Sequence, residues 1–99
     1  MLIASRNREL RERLVDAARA HPLVHLVGTL RDISDARTGG PYPDVVVVGG
    51  GEPSRVGVNA VTLARELFPG VLLVPVTEDD EPDRIVDFAQ RTASETLPR

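Results

Sequence analysis

The sequence predicts an α/β domain with a parallel sheet of strand order 2-1-3-4. A run of four valines at residues 45–48 is typical of a strand buried on both faces in the middle of a parallel sheet. Strand-like and helix-like segments alternate and are joined by short connections, which indicates βαβ units with right-handed crossovers. Such sheets bind ligands in the crevice at the carboxyl ends of their strands, where the strand order reverses.

The individual elements follow from apolar periodicity and from residues that begin or end helices. We expect strands at residues 2–5, 23–28, 44–49 and 71–77, and helices between Asn7 and Pro22, over residues 57–68, and from Asp80 onward. The side chains of Asn7 and Asp80 are suited to capping the first and last of these helices. Residues 31–40 give the weakest pattern, with one or two helical turns around Ile33 and Ala36.

Pro75 falls inside the fourth predicted strand, where it removes a hydrogen-bond donor from the sheet. Proline in a strand belongs at a sheet edge or a bulge. Residues 97–99 are too short to form a fifth strand. Either the fourth strand is therefore the sheet edge, or a fifth strand follows beyond Arg99.

The composition is that of a soluble globular domain, with 41% hydrophobic and 27% charged residues in a chain of 99. This length fits one domain, which we expect to be the N-terminal part of a longer protein. No apolar run approaches the roughly 20 residues of a membrane span, and the charges from Arg6 onward leave no room for a signal-peptide core. The absence of cysteine fits a reducing compartment, so we expect a cytoplasmic location without membrane binding.

The charged residues exclude several functions. A net charge of −3 argues against direct nucleic-acid binding, which normally requires a basic face. All 12 positive residues are arginine, which excludes Schiff-base lysine chemistry and a Walker A lysine. The acidic residues at 78–83 fit the N-terminus of a helix better than a cation site, and His21 and His25 lack metal-ligand partners at suitable spacing.

Short motifs occur in a consistent order along most of the chain. They are His21 with Pro22, Val27 with Gly28, Pro43 with Asp44 and Val45, the run from Phe68 through Pro69 and Gly70 to Val71, and Thr77 followed by Asp79 and Asp80. In this order and spacing the chain resembles the receiver domain of bacterial response regulators, in the branch fused to helix-turn-helix output domains. The resemblance implies a flavodoxin-like three-layer sandwich whose fifth strand is missing or truncated.

The resemblance also implies a degenerate phosphorylation site. Active receivers have an acceptor aspartate at the end of strand three, two acids that hold Mg²⁺ after strand one, and a threonine or serine at the end of strand four. Gly49 stands at the acceptor position, Ser5 and Arg6 replace the acidic pair, and Thr77 is retained. Glycine offers no group to phosphorylate, and an arginine would repel the metal. We therefore expect no enzymatic activity, cofactor or bound metal. Glu52 is the nearest other acid.

The function expected from these observations is a phosphorylation-independent signalling or protein-interaction domain. It would control an output domain, on the same chain or on a partner, by homodimerisation or partner binding. Four residues of the last predicted helix are the candidate interface: Ile85, Val86, Phe88 and Ala89.

Two alternatives stay open. The backbone N–H groups of Gly49, Gly50 and Gly51, together with Arg6, could bind an anionic small molecule or nucleotide. The same glycines could instead form only a strand-to-helix turn. The second alternative is a receiver-like targeting domain of a ParA/MinD-type ATPase in pilus assembly or polar localisation.

Overall fold

A computed structural model describes residues 1–36 and 43–96. The strands are β1 (Leu2–Ala4), β2 (Gly28–Leu30), β3 (Val45–Gly49) and β4 (Leu72–Val76), and the α-helices are α1 (Arg8–Ala20), α2 (Ala60–Leu67) and α3 (Pro82–Thr96). A 3₁₀ turn at Ile33–Asp35 confirms a helical turn at Ile33. The last part of the weak segment at 31–40 and the predicted short terminal segment at 97–99 lie outside the described residues.

All four strands form one parallel sheet of order β2-β1-β3-β4, which confirms the predicted topology. In the register, Val47 lies between Ile3 of β1 and Val74 of β4. Every residue of β3 is buried, as expected for the valine-rich central strand. The arrangement is a flavodoxin-like α/β fold with the carboxyl ends of all strands at one edge of the sheet.

The two faces of the sheet are covered by different helices. On one face α1 and α3 bury alternate strand residues, including Val45 and Val47, against a cluster that contains Leu14 and Val86. On the other face α2 and the 3₁₀ turn bury Val46 and Val48. Each fully buried valine or leucine contributes about 1.5–3 kcal/mol, so the sheet is held from both sides.

The position of α3 shows on which face of the sheet the chain continues after β4, the strand that contains Pro75. The crossover from β3 to β4 runs through α2, whereas α3 lies on the face that carries α1. A further parallel strand beside β4 that followed α3 would therefore need a left-handed crossover, which is rare. In the part of the chain that the structure describes, β4 is an edge strand and Pro75 is exposed within it. The first predicted alternative is thus confirmed for the described residues, and a strand beyond Arg99 stays a prediction.

The predicted second strand is displaced along the chain. Residues 23–28 were expected to be extended in the sheet, but β2 covers Gly28–Leu30 and Leu23 is 70% exposed. The reason is local: the N–H of Leu23 donates to Nδ1 of His21, which holds residues 21–24 in a turn. Residues 25 and 27 hydrogen-bond with Met1, which precedes β1: its amino group donates to the His25 carbonyl at 2.7 Å, and its carbonyl accepts the N–H of Val27 at 2.9 Å.

The helix expected over residues 57–68 begins later, at Ala60. Asn59 is its N-cap, and the side chain of Asn59 accepts the N–H of Val61 at 2.9 Å. Residues 53–59 form a loop, in which Gly57 has a φ of 85° and the Ser54 N–H donates to the Val58 carbonyl. Val58 lies in this loop and is 39% exposed, so the prediction that the helix begins at residue 57 is wrong.

Candidate functional site

An open crevice of about 380 Å³ lies at the carboxyl ends of β1, β3 and β4. Its lining residues are Arg6, Asn7, Leu10, Gly50, Glu52, Pro53, Val76, Thr77 and Glu78. The strand order of the sheet predicts a crevice at this place. The structure brings Ser5, Arg6 and Gly49 to this edge, because residues 2–4 of β1 pair with residues 46–48 of β3.

The carboxylate of Glu52 fills the space beside Gly49. An ideal Cβ placed on Gly49 would overlap this group, and its three nearest atoms all belong to the Glu52 carboxyl. The Ser5 hydroxyl donates to Oε2 at 2.7 Å, and the Arg6 backbone N–H donates to Oε1 at 2.6 Å. The chain thus binds one of its own carboxylates where a side chain at position 49 would begin.

The loop after β3 turns so that Glu52 can reach β1. The N–H of Gly50 donates to the Val76 carbonyl at 2.7 Å, which ties the start of the loop to β4. Gly51 then adopts a φ of 79°, a conformation that glycine favours. The carbonyl of Glu52 accepts the N–H of Ala60 at 2.9 Å, which anchors the loop to α2.

The donors in the crevice differ from those predicted for an anion site. The Gly50 N–H is used by Val76, so it does not point to a ligand. The Arg6 guanidinium lies against Asp32, with Nε 3.8 Å from Oδ2, and Nη1 donates to the Pro53 carbonyl at 3.4 Å. The groups that donate to the Glu52 carboxylate are instead the Ser5 hydroxyl and the Arg6 amide.

Asp32 is a buried carboxylate next to this site. Its Oδ1 accepts the N–H of Ser34 at 2.9 Å and the Ser34 hydroxyl at 2.7 Å, and the Arg55 backbone also donates to it. Burial of Asp32 raises its pKa, but these hydrogen bonds and the charge of Arg55 outweigh burial and hold the pKa below its ordinary value. Arg55 in turn makes a two-pronged bond to Asp35, at 2.7 and 3.2 Å.

The Asp32→Asn variant is expected to be less stable than the wild type near neutral pH. Because the folded-state pKa of Asp32 is lowered, its stabilisation is fully present above the unfolded value, ordinarily 3.8, and is lost as the pH falls through the folded value. The difference in free energy of unfolding between the two proteins should therefore shrink below about pH 4. Urea unfolding followed by circular dichroism from pH 3 to 7 measures it.

The exposed Asp16 supplies the matched control for this pH series. Asp16→Asn should leave stability within about 0.5 kcal/mol of wild type at every pH. A gap between wild type and Asp32→Asn that widens on acidification would contradict the lowered pKa.

Thr77 is engaged in the turn that precedes α3. Its N–H donates to Oδ2 of Asp80 at 2.9 Å, its hydroxyl lies 3.4 Å from the same oxygen, and it accepts the N–H of Asp79 at 3.3 Å. Across the crevice, Asn7 caps α1 through Leu10 and donates its amide to Glu78 at 2.8 Å. Thr77 thus serves as a hydrogen-bonding residue at the end of a strand.

The predicted interface on the last helix is wrong for two of its four residues. Val86 is 1% exposed and Ala89 is fully buried, because they belong to the stripe of α3 that packs against the sheet and α1. Ile85 is partly buried against the same cluster. Only Phe88, with 52% of its surface exposed, faces outward.

The sequence interpretation missed the residues that complete the site. Glu52 was noted only as the nearest acid, and Asp32 was not singled out. An available signal for Asp32 was the spacing Asp-x-Ser, in which an aspartate caps the backbone two residues on. The position of Glu52 depends on the loop conformation at Gly50 and Gly51, which residue spacing does not specify.

Residues 1–36 and 43–96 contain neither a membrane-spanning helix nor a cluster of possible metal ligands. No helix there has the length and apolar character needed to cross a bilayer. The same residues contain no group of three or more histidine, aspartate or glutamate side chains placed to hold a metal ion. No family model, curated protein or solved structure matches the chain, so the receiver resemblance stays a prediction.

Proposed function

We propose that this chain is a phosphorylation-incompetent receiver-like domain that acts through protein partners. The observation that carries the proposal is the Glu52 carboxylate, bound by Ser5 and Arg6 in the space beside Gly49. A phosphoryl acceptor must present a carboxylate to solvent and to a divalent ion. At this place the chain presents a glycine and a carboxylate that is already bound.

The charges around the crevice support the same proposal. Arg6 takes the place of a metal-holding acid, and its positive charge opposes the entry of Mg²⁺. The Arg6 guanidinium lies against Asp32, which already accepts hydrogen bonds from Ser34. Of the donors predicted for an anionic-ligand sensor, the Gly50 N–H is engaged by the Val76 carbonyl and the Arg6 guanidinium lies against Asp32, which weighs against that alternative.

Exposure to acetyl phosphate and Mg²⁺ is expected to leave the mass of the protein unchanged. The variant Gly49→Asp is also expected to remain unphosphorylated, because Ser5 and Arg6 still provide no metal site. Intact-mass spectrometry measures both, with an active receiver treated in parallel as the positive control. A phospho-adduct on the wild type, or a Mg²⁺-dependent spectral change with beryllofluoride, would overturn the proposal.

The proposal also predicts that the domain binds a protein partner or a second copy of itself. Phe88 is the exposed member of the interface predicted on α3, so it is the residue on which that surface depends. Light scattering across a concentration series measures self-association, and binding to a candidate output domain can be measured on the same samples. The interaction role requires Phe88→Asp to weaken at least one of these contacts.

A further inference from the structure

We infer that the Ser5 hydroxyl and the Arg6 amide form an oxyanion-binding site whose resident ligand is the Glu52 carboxylate. A free carboxylate of the size of acetate is expected to bind there once residue 52 is shortened. This inference concerns the chemistry of the crevice, and it does not depend on whether the chain can be phosphorylated.

The geometry of the two donors supports this assignment. Each binds a different oxygen of the same carboxyl group, at 2.7 and 2.6 Å, as expected for charge-assisted hydrogen bonds. Ser5 is 2% exposed, and its backbone carbonyl accepts Nη1 of Arg11 at 2.8 Å, so the donor is fixed in place. Its hydroxyl oxygen also accepts the N–H of Asn7 at 3.1 Å, which leaves its proton for the carboxylate.

A second observation points to a ligand at this place. Ser54 is 4% exposed, and its hydroxyl has no hydrogen-bond partner among the described residues. It lines a narrow inner cavity together with Ser5, Asp32 and Glu52, and this cavity has no room for a water molecule. A buried hydroxyl without a partner is unfavourable, and Glu52 lines both this inner cavity and the crevice, so the Ser54 hydroxyl lies next to the place where the carboxylate binds.

The resident carboxylate explains why a small anion would not compete in the wild type. A group tethered by a short loop has an effective concentration on the order of millimolar or more. A free anion must exceed this concentration before it displaces Glu52. Removal of the tethered carboxylate removes the competition and leaves the donors in place.

The variant Glu52→Ala tests the inference with acetate as the probe. This substitution deletes Cγ, Cδ and both carboxyl oxygens, which are the heavy atoms of acetate. At acetate about fivefold above its dissociation constant, we expect the Tm of Glu52→Ala to rise by about 4–8 °C, and to continue rising with the logarithm of the acetate concentration. The amide resonance of Arg6 in ¹H–¹⁵N spectra should return toward its wild-type position in the same titration.

Four controls separate site binding from a general salt effect. Acetamide, the neutral analogue, and sodium chloride at equal ionic strength should not produce the shift. Glu52→Gln keeps the space filled and should not respond. Glu12→Ala removes another glutamate that pairs with an arginine, and it should not respond to acetate either.

The double variant Ser5→Ala/Glu52→Ala should lose most of the acetate response, because one of the two donors is gone. If Glu52→Ala does not fold in buffer, the titration is followed as recovery of the folded spectrum, with acetamide again as the control. An equal response to acetate and acetamide, an unmoved Arg6 resonance, or an undiminished response without the Ser5 hydroxyl would overturn the inference.

Discussion

The Val86→Asp variant is expected to be unfolded at room temperature, whereas Phe88→Asp is expected to fold with nearly wild-type stability. Val86 is 1% exposed in the cluster between α1, α3 and the sheet, so the new carboxylate would be buried without a partner. Loss of the buried valine side chain alone lowers the free energy of unfolding by about 1.5–3 kcal/mol, and an uncompensated buried charge lowers it by several kcal/mol more. Domains of this kind are stable by about 5–15 kcal/mol, so this sum is large enough to unfold a marginal one.

Phe88 is the matched control because it lies two residues away on the outer side of the same helix. More than half of its surface is exposed, at 52%, so aspartate there stays in water. Thermal melts by circular dichroism and the dispersion of amide resonances distinguish the two variants. If Val86→Asp folds and loses only self-association, Val86 belongs to the predicted interface and not to the core.

Gly49→Ala is expected to change stability in opposite directions in two backgrounds. In the wild type the new methyl group overlaps the Glu52 carboxyl, which must leave its two hydrogen bonds with Ser5 and Arg6. Hydrogen bonds to a charged group contribute about 1.5–3 kcal/mol each, so we expect a net loss of about 2–4 kcal/mol. In Glu52→Ala the overlap is absent, and alanine should be neutral or stabilising by up to about 1 kcal/mol.

Urea denaturation of the four proteins in this double-mutant cycle measures the coupling directly. Gly49 does not have a positive φ, so alanine at this position introduces no backbone strain. The coupling free energy from the cycle should therefore measure the steric overlap between the methyl group at position 49 and the Glu52 carboxyl. Equal effects of Gly49→Ala with and without Glu52 would show that the carboxylate does not occupy this space.

The topology could be predicted because it depends on patterns that tertiary contacts reinforce. The valine run is typical of a central strand, and the alternation of strand and helix indicates a parallel sheet, for which order 2-1-3-4 is an expected topology. Elements whose position depends on a few local hydrogen bonds were predicted at the wrong residues. β2 is only three residues long at a sheet edge, and the start of α2 is decided by the Asn59 cap.

The location of the site could be predicted, but its internal arrangement could not. Ser5, Arg6 and Gly49 meet because their strands are neighbours, which follows from topology alone. The role of Glu52 requires the path of the loop through Gly50 and Gly51. The core role of Val86 and Ala89 depends on which stripe of α3 faces the sheet. The helix is apolar at neighbouring positions, so the sequence left that orientation open.

The bonds from Ser5 and Arg6 to Glu52 also specify how β1 and β3 align. They join residues 47 and 46 positions apart, and they form only when the two strands are paired in the observed register. Four identical valines give β3 little means of distinguishing this pairing from one shifted by a residue, because a shift exchanges valine for valine on both faces. The glutamate after the glycines therefore supplies the positional information that the repetitive strand lacks.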